Sequence, residues 1–224
     1  MSLRRLAPPE MQPASFEFSL DNMARIEKEI AKYPPGRQAS AVISLLWIGQ
    51  EQEGWVTHPM IEVVGRRLDM PFIRVLEVAT FYTMFNLSPV GRFHVQFCGT
   101  TPCMLRGADA LKKVLHQMIG HENEVTADGT FSWTEVECLG ACVNAPMVQI
   151  NADYYEDLTP ESLTRILNDL AAGRTPKPGP QVDRHLSAPI GGENTLTDPS
   201  IYRVTKQAPA SPAGDANATD PKHG

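Results

Sequence analysis

The chain has 224 residues, 42% of them hydrophobic and 21% charged, which suffices for one or two folded units with a real core. Lys and Arg total 20 against 26 Asp and Glu, for a net charge of −6, and no dense Lys/Arg stripe marks a face for phosphates, which argues against nucleic acid as a partner. The longest mainly apolar run, Ala41 to Ile48, falls far short of the roughly 20 residues that cross a bilayer, so no direct membrane insertion is expected.

The first residues carry Arg4 and Arg5 without an apolar stretch, and Glu10 follows closely, unlike a signal or transit peptide. A cytoplasmic chain is expected. From Ser19 to about Lys32 the apolar residues Met23, Ile26, Ile30 and Tyr33 recur at helical spacing, with Ser19 placed as a cap and Pro34-Pro35-Gly36 as a stop. A second helical stripe runs from Gln38 to Gln52 and closes at Gly54. Thr57 or His58 followed by Pro59 opens a third helix with Ile61, Val64 and Leu68 inward, and Pro71 opens a fourth that is expected to continue through Phe81 to Phe85. Short connections between these helices predict a small bundle. Phe81, Tyr82, Met84 and Phe85 read as packing for that bundle, with a docking surface as the alternative.

At Arg92 the period changes. Phe93, Val95 and Phe97 alternate with His94, Gln96 and Cys98, which predicts a strand ending at Cys98. Pro102 and Cys103 lead into a helix with Ala108, Leu111, Leu115 and Met118 on one face, stopped by Gly120. Asp128-Gly129 is a turn signal before a second strand with Phe131, Trp133 and Val136 that delivers Cys138. Met147–Ile150 and Asp153–Tyr155 read as a hairpin around Asn151, and Thr159-Pro160-Glu161 opens a last helix that Gly173 ends. Beyond Gly173, periodicity disappears and 8 of the 19 prolines fall between Pro176 and Pro221. Such a stretch cannot bury enough apolar area to offset the entropy of ordering it, so a mobile tail is expected.

The 4 cysteines stand in two pairs, Cys98-x4-Cys103 and Cys138-x3-Cys142. Disulfides belong mainly to short secreted chains and fit poorly here. Zinc tolerates these spacings, so a structural zinc-binding module stays open on spacing alone. A [2Fe–2S] cluster also takes thiolates in twos, one pair for each iron. Thiol exchange would use a C-x-x-C pair, which is absent. His94 reads as a packed or surface strand residue, not a ligand. No G-x-G-x-x-G or P-loop pattern occurs, so the chain has no recognisable nucleotide site and no candidate catalytic residues. Gly99 and Gly140 read either as ordinary turn residues or as turns that aim N–H groups at sulfur.

The stretch Ala79-Thr80-Phe81-Tyr82-Thr83-Met84-Phe85, with Pro89, Gly91, both cysteine pairs, Gly107-Ala108 and Glu137-Cys138-Leu139-Gly140-Ala141-Cys142-x-x-Ala145-Pro146, resembles one family. It is similar to the E subunits of NADH–quinone oxidoreductase, respiratory complex I, from about Phe18 to about Gly173. Together with the periodicity and composition, the resemblance gives an α+β chain: a flexible N-terminus over 1–17, a helical bundle over 18–90, a domain over 91–173 that the resemblance implies is a thioredoxin-like [2Fe–2S] ferredoxin, and a proline-rich extended tail over 174–224. It further implies that Cys98, Cys103, Cys138 and Cys142 hold one [2Fe–2S] cluster that exchanges single electrons with FMN. FMN and NADH are expected on a flavoprotein subunit as direct partner, with other peripheral-arm subunits nearby and the whole attached peripherally to the cytoplasmic membrane. The chain itself would be a non-catalytic electron-transfer subunit. Related subunits serve NAD-linked hydrogenases and formate dehydrogenases, which remain the alternative assembly.

Overall fold

A computed structural model describes residues 4–192 and 194–202. Helix α1 spans Leu20–Ile30, and the Ser19 hydroxyl accepts from Asn22 N–H at its start, satisfying a donor that the first turn leaves orphaned. Gln38–Ala41 forms a 3-10 turn that runs into α2, Val42–Glu53, which ends at Gly54 with φ +84. Helix α3, His58–Leu68, is capped by Thr57 with Pro59 in its first turn, and α4 spans Phe72–Phe81 after Pro71. Ile26, Leu45, Leu46, Met60, Ile61, Val64, Val75, Ala79 and Phe85 bury together as the helical core.

Helix α4 stops at Phe81, earlier than the periodicity predicts. Tyr82 turns extended, and the Arg4 guanidinium collects the carbonyls of Thr80 at 3.1 Å, Tyr82 at 2.7 Å and Phe85. With those carbonyls satisfied off-axis, the chain swings Phe85 wholly into the core and leaves Phe81 76% exposed. Packing of the four aromatic-stretch residues is therefore split: Phe85 is core, Met84 packs against it, and Phe81 with Tyr82 faces outward as an edge-to-face pair. In the stretch expected as a flexible N-terminus, Ala7 and Phe16 are buried, Ala7 N–H donates to Leu87 O, and Gln12 Oε1 accepts from His58 N–H. Residues 1–3 lie outside the described residues.

Strand β1, Phe93–Cys98, is followed by a short helix α5, Thr101–Leu105, and by α6, Ala108–Met118. Then come β2, Phe131–Val136; a 3-10 turn at Cys142–Asn144; β3, Val148–Ile150; β4, Asp153–Glu156; and α7, Pro160–Ala171. A capping box between Thr159 and Ser162 opens α7. The sheet order is β2-β1-β3-β4-β5, where β5 is the pair Gly179–Pro180. β1 runs parallel to β2 with Cys98 level with Val136, and antiparallel to β3 with Phe97 level with Val148. Leu111, Leu115, Leu163, Ile166 and Leu167 from α6 and α7 bury with Val95, Trp133 and Val148 of the sheet in a second core.

This topology decides where the cysteines go. In a parallel pair both strands end on the same side, so Cys98 at the end of β1 and Cys138 just beyond β2 share one edge. The antiparallel β3 starts at that same edge, so the Cys142 turn preceding it arrives there too. Within the expected tail, β5 pairs in parallel with β4 and Gln181 N–H donates to Glu156 O at 2.9 Å, so this portion adds a strand to the sheet. Glu193 and the tail from residue 203 lie outside the described residues.

Candidate metal centre

Cys98 and Cys103 are each 2% exposed, whereas Cys138 and Cys142 lie at the surface, and all are unbonded. The Cys138 and Cys142 sulfurs are 3.4 Å apart, far beyond the roughly 2.05 Å of a disulfide. Two sulfurs each about 2.3 Å from one tetrahedral metal sit a little under about 4 Å apart, so this pair can share an ion. Cys103 sits inside α5, held by the register that starts at Thr100 and Pro102. The sequence placed it nearer the start of the following helix; a separate short helix and the left-handed Gly107, φ +100, intervene.

Hydrogen-bond donors converge on the sulfurs. Gly140 N–H donates to Cys138 Sγ at 3.4 Å, and Gly140 adopts φ +84 to do so, a conformation that glycine takes without strain. Gly99 is different. It has no positive φ, and a Cβ there would first meet the Glu135 carboxylate at 2.1 Å, the far end of a flexible side chain that can step aside. Thr100 was not singled out from sequence, yet its hydroxyl lies 3.3 Å from Cys98 Sγ and also contributes to lowering the Cys138 thiol. A hydroxyl residue two positions past the first cysteine was the available signal.

The proton affinities within each pair diverge. Burial pushes the Cys98 thiol up, but the Thr100 hydroxyl, the Leu139 and Thr100 amides and Cys103 outweigh it and hold it below the ordinary thiol range. Burial, then the neighbouring Cys98, pushes Cys103 up to about 12. The Gly140 amide, followed by Cys142, lowers Cys138, and Cys142 is raised by its contact with Cys138. Each pair thus has one sulfur predisposed to be a thiolate, the form that binds metal.

These residues fit an iron–sulfur centre. The donor set is all thiol, grouped in two pairs, and N–H and O–H dipoles face the sulfurs, as an anionic cluster requires. Among the described residues no group of three or more His, Cys, Asp or Glu is placed to hold a single metal ion. His94 is a packed strand residue: it is 8% exposed, with Nδ1 at 2.8 Å from Ser132 Oγ, near the start of the strand that Cys98 ends.

A profile of the thioredoxin-like [2Fe–2S] ferredoxin family matches residues 26–171. The chain is 56% identical over 222 residues to an E subunit of NADH-quinone oxidoreductase from Rhizobium meliloti (strain 1021), covering 97% of this chain and 81% of that protein. It is 53% identical over 158 residues to the E subunit of NADH-quinone oxidoreductase from Rickettsia bellii (strain RML369-C), covering 70% of this chain and 95% of that one. Among solved structures, the air-oxidized NAD+-reducing [NiFe]-hydrogenase aligns over 59% of this chain with a TM-score of 0.52 and 18% identity, a likeness of fold. This chain spans 23% of the hydrogenase chain.

Proposed function

Because the chain belongs to the thioredoxin-like [2Fe–2S] ferredoxin family, we propose that it is the electron-transfer subunit of an NADH–quinone oxidoreductase and exchanges single electrons with FMN on a partner subunit. The family's cofactor is one [2Fe–2S] cluster, and the chain is α+β with a thioredoxin-like ferredoxin fold. The observation that carries the proposal is the 56% identity to an NADH-quinone oxidoreductase E subunit across nearly the whole chain.

Cys98, Cys103, Cys138 and Cys142 are the residues we assign to hold the cluster. When bound, the cluster supplies one-electron storage and transfer. The chain's own part is positional and electrostatic. β1 and β2 deliver the two cysteine loops to one sheet edge. The Gly140 and Leu139 amides and the Thr100 hydroxyl offset negative charge on sulfur. Cys98 and Cys103 are shielded from water while Cys138 and Cys142 face out, which leaves a short path to a neighbouring subunit. Exposed apolar side chains at Met104, Leu105 and Val143 border the cysteines, as a docking face requires. No nucleotide-binding motif occurs in the sequence, so hydride chemistry falls to a flavoprotein carrying FMN and the NADH site. Among the described residues no helix is long and apolar enough to cross a membrane; attachment through other peripheral-arm subunits at the cytoplasmic face completes the proposal.

Co-expression with the flavoprotein subunit, purification of the pair and rapid mixing with NADH test it. A stable heterodimer whose [2Fe–2S] signal appears on reduction is expected. A pair that forms with FMN bound, yet whose cluster is reduced at no applied potential or NADH/NAD ratio, makes the relay role wrong and a structural role the better account.

A further inference from the structure

After β5 the chain crosses the loop that carries Cys142. Arg184 enters beneath it: Nη1 donates to Asp157 Oδ1 at 2.9 Å and to Val143 O at 3.2 Å, and Nε donates to Ala188 O at 2.8 Å. The Arg184 and Asp157 side chains are each 6% exposed. Asn144, 1% exposed, donates from Nδ2 to Glu156 Oε2 and to Leu186 O, both at 2.9 Å. Asp157 N–H in turn donates to Asn144 O at 2.7 Å. Val143 and Asn144 follow Cys142 within one 3-10 turn. That turn is therefore tied on one side to the end of β4 and on the other to residues 184–186.

Burying a guanidinium is costly unless its donors find acceptors in good geometry. Here one acceptor is the backbone of the cysteine loop itself. Asn144 also leaves its Oδ1 buried and unpartnered. The reverse amide orientation would set that oxygen against a carboxylate and a carbonyl, so the residue forgoes one hydrogen bond to keep two that fix the loop.

We propose that residues 181–188 form a strap in which Arg184 is the positioning residue for the Cys142 loop, governing how firmly the cluster is held and what surroundings its sulfurs have. This rests on the assignment of Cys142 as a ligand. Partners that orient metal ligands from outside act in this way.

The test uses the full chain purified anaerobically with its cluster, and reads iron loss to a ferrous chelator together with the g values of the reduced protein. Arg184→Gln breaks the tie. The double variant Arg184→Met/Asp157→Asn removes both buried charges, so it leaves no unpaired carboxylate to unfold the chain, and Asn accepts the left-handed φ of 51 at that position. Both are expected to lose iron about tenfold faster than wild type with shifted g values, and Arg184→Lys to fall between. Folded variants that keep iron within about twofold of wild type, with unchanged g values, overturn the proposal while leaving the ligand assignment intact. If Arg184→Gln alone fails to fold, the double variant decides. Failure of both to fold also overturns it, since the pair would then be holding the whole fold. A wild-type chain without a cluster overturns the ligand assignment as well.

Discussion

Cys138 is exposed, and its sulfur accepts from the Gly140 amide. The chain has 4 cysteines and no spare, so no neighbour can substitute for it. Replacing Cys138 with Ala is expected to abolish or severely destabilise the cluster, seen as loss of iron and sulfide and of the visible absorption; a full cluster with unchanged spectra would remove Cys138 from the ligand set. His94 makes a different residue-level prediction. Burial lowers it from the ordinary 6.5 to about 4, and its Nδ1 meets the same Ser132 hydroxyl that accepts from Gly91 N–H. Between those pH values the unfolded chain binds a proton that the native one does not, so stability is complete above about pH 6.5 and declines as pH falls towards 4. The loss is roughly 3 kcal/mol. The urea midpoint should fall as pH falls across that range for wild type and fall less for His94→Gln. Equal falls would show that His94 is not the group responsible.

At the scale of elements, the helical core depends on glycines where helices meet other chain segments. A Cβ at Gly65 in α3 would stand 2.8 Å from the Met70 backbone carbonyl, which the left-handed Asp69 turns back towards the helix. Backbone cannot step aside, so Gly65→Ala is expected to cost roughly 1–3 kcal/mol. Gly49 in α2 offers the contrast. Its added Cβ would meet Met60 Sδ at 2.6 Å, the flexible part of a side chain that re-forms its rotamer readily. There the better helix propensity of Ala, about 1 kcal/mol, offsets part of the cost of repacking the buried Met60, and Gly49→Ala should destabilise less than Gly65→Ala. Chemical denaturation of the two variants side by side checks the order, and a Gly49→Ala protein less stable than Gly65→Ala would contradict it.

Taken whole, the chain folds around separate helical and sheet cores, and Cys98 and Cys103 belong to the sheet core alone. A group bound only by the native state stabilises what holds it. Stripping the iron is therefore expected to lower the melting of the sheet part, by about 5 °C or more, while the helical part melts as before. The tryptophans separate the signals: Trp133 is buried in the sheet core, whereas Trp47 and Trp55 belong to α2 and the turn after it. Single-tryptophan variants followed by fluorescence, with and without chelator, provide the measurement. Equal shifts for Trp133 and Trp55 would mean that the two cores unfold as one.

The features legible along the chain lie within a few residues of one another: the caps Ser19, Thr57 and Thr159, the left-handed hairpin residue Asn151 with φ 52, and the cysteine pairs at strand ends. Caps, turns and periodicity are local physics and are written locally. Other features became visible only in three dimensions, because the contacts that set them join distant positions. Arg4 reaches Phe85 across 81 residues and ends α4 early. Thr100 acts on a sulfur of each cysteine pair only once β1 and β2 pair in parallel. Arg184 meets Asp157 across 27 residues, in a segment whose proline content and lost periodicity predict a mobile tail. Apolar burial is what periodicity reports, and this segment is held instead by strand pairing and by a buried ion pair, whose partners no local pattern discloses.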